Sequence, residues 1–200
     1  MSTTHLLHGW SEQDGGAGTV MRYAPYIAER GIAVQGLPHQ WPRSRMWALV
    51  RRHRETERQA RKLAARLQGG DCLVTFSNGG NIAYRAVETA GAEIALWVAI
   101  APALPHDSAP PESVRRMIVM HSDGDTAVRM GAAWTRINPA AWFRPAESRW
   151  GSMGRYGYTG EDERVENWAG RRGLGHLGWF DDEPTEYWAP KVAEAIAAYS

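Results

Sequence analysis

The chain has 200 residues, 44% of them hydrophobic and 22% charged, with a net charge of +1. That length suits one well-buried core, the near-neutral balance gives no pull towards nucleic acid, and no apolar run nears the ~20 residues of a membrane span. Cys72 is the only cysteine, so an internal disulfide is excluded and a reducing compartment is the default. No basic-then-apolar leader precedes Leu6-Leu7, and a cytoplasmic location is expected.

Short apolar runs alternate with helical stretches, which predicts an α/β chain: a mostly parallel central sheet with helices on both faces, forming one domain over residues 1–200. The first strand is expected at His5–Leu7, ending in His8-Gly9-Trp10. A glycine-rich loop, residues 14–18, leads to a helix over Val20–Arg30 that Gly31 stops. Strand two follows at Ile32–Gln35. After Trp41-Pro42 a long helix is expected over Met46–Leu67, with Leu49, Thr56, Ala60, Leu63 and Leu67 on its apolar face. Its many arginines, among them Arg43, Arg45, Arg54, Arg58 and Arg61, are interrupted by Glu55 and Glu57 and read as a solvated face.

Cys72–Thr75 reads as a strand buried on both faces, and a sharp turn at Ser77-Asn78-Gly79 feeds a helix to about Thr89. Strands four and five are expected at Ile94–Ile100 and Met117–Met120, and a helix at Val128–Asn138. From Arg144 to Arg172 the pattern weakens. Arg164–Trp168 suits a last short strand, and Pro184–Tyr199 a closing helix with Val192, Ala195, Ile196 and Tyr199 inward.

Thr75-Phe76-Ser77-Asn78-Gly79 carries the strongest chemical signal. A serine hydroxyl needs a base to become a nucleophile, and a tight strand-to-helix turn lifts it clear of the sheet. The turn crowds its flanks; Gly79 and Gly80 give room after the serine, whereas Thr75 stands where G-x-S-x-G has its first glycine. A serine opening a helix is also a common N-cap, so these five residues alone leave both readings open. Strand five ends in a loop with two carboxylates, Asp123 and Asp125. Asp125, three residues before Val128, is the preferred acid; Asp123, beside Gly124, suits a turn and stays in reserve. His176 sits between Gly175 and Leu177-Gly178, in a loop ahead of the closing helix. Negative charge on a substrate oxygen calls for two fixed N–H donors, and the backbone of Asn78 and of Trp10 after Gly9 are the candidates.

Taken together, His8-Gly9-Trp10, the turn at 75–79, the run Asp125-Thr126-Ala127-Val128 and the stretch 175–179 resemble the α/β-hydrolase superfamily over roughly residues 4–199. In that superfamily the acid and then the base follow the serine along the chain, and His176 alone among the seven histidines follows both acid candidates. The resemblance implies a triad of Ser77, Asp125 and His176, cleaving a carboxylic ester, thioester or amide through an acyl-serine. It implies no need for a metal or organic cofactor. The amino-terminal antiparallel hairpin of larger members is expected to be missing, and the Pro-rich connection 101–114 is expected to leave no room for an inserted lid. An open cleft is expected, taking a small or polymer-borne acyl ester, with neither nucleic acid nor a membrane span involved; the sequence records no oligomeric state.

Of the ten tryptophans, Trp10, Trp150, Trp168 and Trp179 flank the motifs, and Trp10 and Trp179 are expected at the cleft rim, Trp179 as a substrate contact. Arg155, in the glycine-rich stretch 150–158, is a candidate to meet an anionic substrate group. Two other readings compete. A hydrolase fold that has lost catalysis and only binds is favoured by Thr75 alone. A flavodoxin-like nucleotide binder lacks the phosphate-cradling glycine loop after the first strand.

Overall fold

Six short aliphatic runs become six strands: β1 (Thr3–Leu7), β2 (Ala33–Gly36), β3 (Asp71–Phe76), β4 (Ile94–Ile100), β5 (Met117–His121) and β6 (Val165–Ala169). They form one sheet in the order β2-β1-β3-β4-β5-β6, every neighbouring pair parallel. The computed structural model describes residues 2–10, 12, 14–37, 45–137 and 150–200, without the side chains of 45–52 and 136–137. Trp41-Pro42, Arg43, Asn138, Arg144 and the side chains of Leu49 and Arg45 therefore lie outside the described residues.

Parallel strands need long crossovers, and these supply the helices. A 3-10 turn (Val20–Tyr23) runs into α1 (Ala24–Ala28); α2 spans Arg45–Ala64, α3 Gly79–Ala90, α4 Thr126–Ile137, α5 Met153–Tyr156 and α6 Asp182–Tyr199. Two apolar clusters, one on each face of the sheet, form the core. Cys72, Val74 and Phe76 of β3 point into one, together with Tyr23, Ile27, Val192 and Ile196 of the α1 and α6 layer. Leu73 points into the other, with Ala60 and Leu63 of α2 and Ile82 and Val87 of α3. Burial on both faces explains why β3 and β4 read as unbroken apolar runs.

Most boundaries fall within two residues of the sequence expectation. The differences are local. The stretch from Val20 is a 3-10 turn plus a short helix rather than one helix to Arg30, since Pro25 at the start of α1 has no N–H to continue the earlier turn. On α6 the inward face is Ala189, Val192, Ala193 and Ile196, while Tyr199, the last residue of the helix, is exposed. Thr56, Ala60 and Leu63 of α2 are buried, and Arg54, Arg58 and Arg61 are exposed, as a solvated arginine face requires. No helix among the described residues is long and apolar enough to cross a membrane.

The order of strands decides where a site can form. From β1 the chain moves outward to β2, then returns to place β3 on the other side of β1. Loops leaving the carboxyl ends of β1 and β3 therefore part in opposite directions and open a crevice between them.

Candidate active site

Ser77 leaves the end of β3 at φ 53, left-handed backbone that a non-glycine residue holds at a cost of about 1–2 kcal/mol. Its surroundings hold it there. Ser77 N–H donates to Ile100 O of β4 at 3.1 Å, and Ser77 O accepts from Gly80 N and Ala103 N, each at 3.1 Å. Gly79 then opens α3 against the end of β1: a Cβ there would lie 2.7 Å from Leu7 O and 2.9 Å from His8 O. Only glycine lets α3 begin so close to the sheet. Thr75 has a defined place of its own, since its buried hydroxyl accepts the indole N–H of Trp97 at 2.9 Å.

The acid and histidine loops are fastened together. Gly124 has no side chain because a Cβ would fall 2.3 Å from the carbonyl carbon of Gly173. Asp123 Oδ1 accepts Gly173 N–H at 2.6 Å, Ser122 Oγ donates to Arg171 O at 3.3 Å, and Gly170 N–H donates to His121 O at 2.8 Å. Asp123 thus ties one loop to the other, as a turn residue with a second duty. Asp125 is fully buried; its Oδ1 accepts Val128 N–H at 3.1 Å at the start of α4, and its Oδ2 lies 2.7 Å from Nδ1 of His176. An ionised carboxylate only accepts, so the ring carries its proton on Nδ1 and keeps the Nε2 lone pair. The imidazole rests on Phe76, centroids 4.7 Å apart, and Phe180 packs edge-on beneath at 4.8 Å. Phe76 immediately precedes Ser77, so this packing brings the histidine to the serine.

The loop after β1 closes the third side. A Cβ on Gly9 would stand 3.1 Å from Ser77 Cβ, so glycine lets this backbone pass beside the serine. Gly9 N–H donates to Glu12 Oε1 at 2.9 Å, while Glu12 Oε2 accepts Thr19 Oγ1 at 2.6 Å. Backbone bonds from Gly18 chiefly, and Gly16, hold the Asp14 carboxyl below its usual range against a smaller opposing effect of burial, and brace the same loop. The N–H groups of Trp10 and Asn78 have no hydrogen-bond partner among the described residues. The Asn78 side chain is held by Trp150, whose indole N–H donates to Oδ1 at 2.8 Å.

Ser77 and His176 line one cleft of about 400 Å3, walled by Trp10, Trp150 and the α4 residues Val128, Met130 and Trp134. No hydrogen bond joins Ser77 Oγ to His176 Nε2 here; such contacts commonly tighten when substrate binds. Two expected substrate contacts stand elsewhere. Trp179 is wholly buried under α6, 5.8 Å from the Trp188 ring, because the 3-10 turn Gly178–Phe180 rolls its indole into the core. Arg155 does not line the cleft; its guanidinium lies 5.6 Å from the Tyr156 ring on α5. Trp168, on edge strand β6, stacks on Trp188. The stretch from Trp150 suited a cleft wall by its sequence, and Trp150 does line the cleft, but sequence reasoning missed both Met130 and Trp134. The i, i+4 spacing of the last two was the only available signal. Among the described residues no cluster of histidine, cysteine or carboxylate side chains could hold a metal.

No family model matches the sequence, and no curated protein does. The structure is similar to the alpha/beta hydrolase domain-containing protein 10 from mouse (TM-score 0.60, 11% identity, 99% of this chain and 90% of that one). It is also similar to a monoacylglycerol lipase of Paleococcus ferrophilus (0.55, 15%, 99% and 95%). A third similar structure is an extracellular alpha/beta-hydrolase from a Paenibacillus species (0.54, 13%, 100% and 99%). At such identities the likeness is one of fold.

Proposed function

For a chain with the α/β-hydrolase fold, we propose that this protein is a serine hydrolase cleaving a carboxylic ester or thioester through an acyl-serine. The observation that carries the reading is the meeting, at one cleft, of a serine on strained backbone and an imidazole backed by a buried carboxylate. Esterases and lipases among proteins of similar fold agree with hydrolysis as the class of reaction.

In this reading Ser77 Oγ attacks the ester carbonyl carbon while His176 Nε2 takes the hydroxyl proton. Asp125 holds the Nδ1 proton and stabilises the imidazolium. Charge gathering on the carbonyl oxygen meets the N–H groups of Trp10 and Asn78, where each fixed donor is worth about 3 kcal/mol of barrier. The tetrahedral intermediate collapses, the C–O bond to the alcohol breaks, and His176 returns its proton to the leaving oxygen. Water then attacks the acyl-serine by the same steps in reverse. Thr75 at the turn does not count against catalysis, because its hydroxyl is used by Trp97 on the side of the sheet away from Phe76 and His176.

Hydrolysis of p-nitrophenyl butyrate tests this directly. The expected result is turnover by the wild-type chain and none above the uncatalysed rate for Ser77→Ala. Equal turnover by both proteins would overturn the assignment.

A further inference from the structure

The cleft wall formed by α4 is unusual for a helix on a protein surface. Met130 and Trp134, one turn apart, are 72% and 44% exposed, and Leu177, next to His176, is 61% exposed. Single exposed apolar side chains need no explanation, but clustered ones mark a binding surface. Here Met130 and Trp134 line the same cleft as Ser77, His176, Trp10 and Trp150. Trp10 and Trp150 meet edge to face at 5.6 Å, and Gly131, between the two exposed residues, leaves room for the Trp150 ring, which a Cβ would approach to 3.1 Å. Among the described residues the lining apart from Ser77, His176 and backbone is apolar or aromatic, and the volume of about 400 Å3 suits a small organic group.

We propose that the α4 wall, Met130 and Trp134 together with Trp10 and Trp150, binds the apolar acyl chain of the ester. The preferred substrate is then a medium-chain or aryl acyl ester rather than an acetate. The inference rests on the hydrolase reading, since the chain committed to this groove is the one attached to the carbonyl that Ser77 attacks. Groove and nucleophile are continuous, which selects a covalently attached acyl group over a separate partner. Among the described residues no lysine or arginine lines the cleft, and an uncharged acyl chain suits such a wall.

The test has two arms. In the first, ethyl alkylphosphonofluoridates with methyl, butyl and octyl chains are reacted with the protein, and the rate of adduct formation at Ser77 is followed by intact mass. Each methylene that enters the groove should raise the second-order rate about fourfold, and the gain should shrink sharply in Met130→Ala/Trp134→Ala, where methyl and octyl rates converge. In the second, Ser77→Ala is titrated calorimetrically with butanoate and octanoate below micellar concentration, which needs no chemistry. Octanoate should bind more tightly, and the preference should disappear when Met130 and Trp134 are also replaced.

Adduct at Ser77 at a rate independent of chain length would overturn the acyl-groove assignment and leave the hydrolase reading standing. No adduct, with octanoate binding still lost in the double variant, would overturn the hydrolase reading and with it the ester, leaving only an apolar ligand pocket. Dimerisation in sedimentation velocity that the double substitution abolishes, without any chain-length effect, would give the groove to a second copy of the chain and overturn the proposal.

Discussion

Replacing Asp125 by asparagine separates the orienting carboxylate from everything else in the site. The structure fixes how the amide must sit. Val128 N–H points at Oδ1 from 3.1 Å and needs an acceptor, so the amide oxygen takes that position and the NH2 group faces His176. The opposite orientation would leave a buried N–H against another N–H, at a cost of about 1–3 kcal/mol. The NH2 group then donates to Nδ1 across what is now a 2.7 Å contact, the ring proton moves to Nε2, and the nitrogen meant to accept the Ser77 proton already carries one. A wrong tautomer of this kind lowers turnover by about 10^4-fold, or ~5.5 kcal/mol. The fold should persist, because the α4 start keeps its acceptor. Asp123→Asn is the control: its amide oxygen can still accept Gly173 N–H, and turnover should fall by less than about tenfold. Steady-state kcat on p-nitrophenyl butyrate, with far-UV circular dichroism to confirm folding, reads both variants. A loss under tenfold in Asp125→Asn, or a larger loss in Asp123→Asn, would refute the assignment of the acid.

Gly79→Ala should destabilise the chain by about 1–3 kcal/mol in urea unfolding and move Ser77, because the new methyl would meet the carbonyl oxygens of Leu7 and His8. Unchanged stability would mean that α3 does not start against β1. Glu12→Ala removes the acceptor of Gly9 N–H and should lower kcat by about tenfold with little change in KM, less than loss of a donor itself; Glu12→Gln, which keeps one acceptor oxygen, should recover most of it. A KM effect alone would show Glu12 acting on binding. At His121 burial, the larger effect, lowers the ring pKa against a weaker opposing bond to the Arg155 backbone. The unfolded ring therefore takes up a proton more readily. Stability should fall as pH drops through the ordinary histidine range near ~6.5, and thermal melts of His121→Gln between pH 8 and pH 5.5 should show a smaller decline than wild type.

The parts of the site that follow from backbone geometry were legible in the sequence. Ser77 with Gly79, the Gly9 loop and the loop of Asp125 each combine a strand end with residues suited to a tight turn, and such local chemistry survives in any tertiary setting. Of the two carboxylates in that loop, Asp125 accepts the N–H of Val128, three residues on as the spacing suggested, and meets His176, while Asp123 bonds Gly173. The aromatic residues were less readable. Trp179 and Trp150 both lie beside glycines, yet the first is buried by the turn at Gly178–Phe180 and the second stands in the cleft, tied to Asn78. Which way an indole faces is decided by the packing of distant elements, here α6 for one and α4 for the other. Met130 and Trp134 were hidden for the same reason: an apolar pair at helical spacing reads as core until the other face of the helix is seen. Arg155 was placed in the cleft by its position between acid and base along the chain, but α5 folds over the ends of β4 and β5, where Gly154 packs on Ala101.

The central claim is that Ser77 is an activated nucleophile, and covalent labelling tests it most directly. After treatment with a fluorophosphonate, peptide mapping by mass spectrometry should find one adduct, on Ser77, formed far more slowly in His176→Asn and not at all in Ser77→Ala. An unmodified Ser77 in the folded wild-type protein, or the same labelling in Ser77→Ala, would contradict the account.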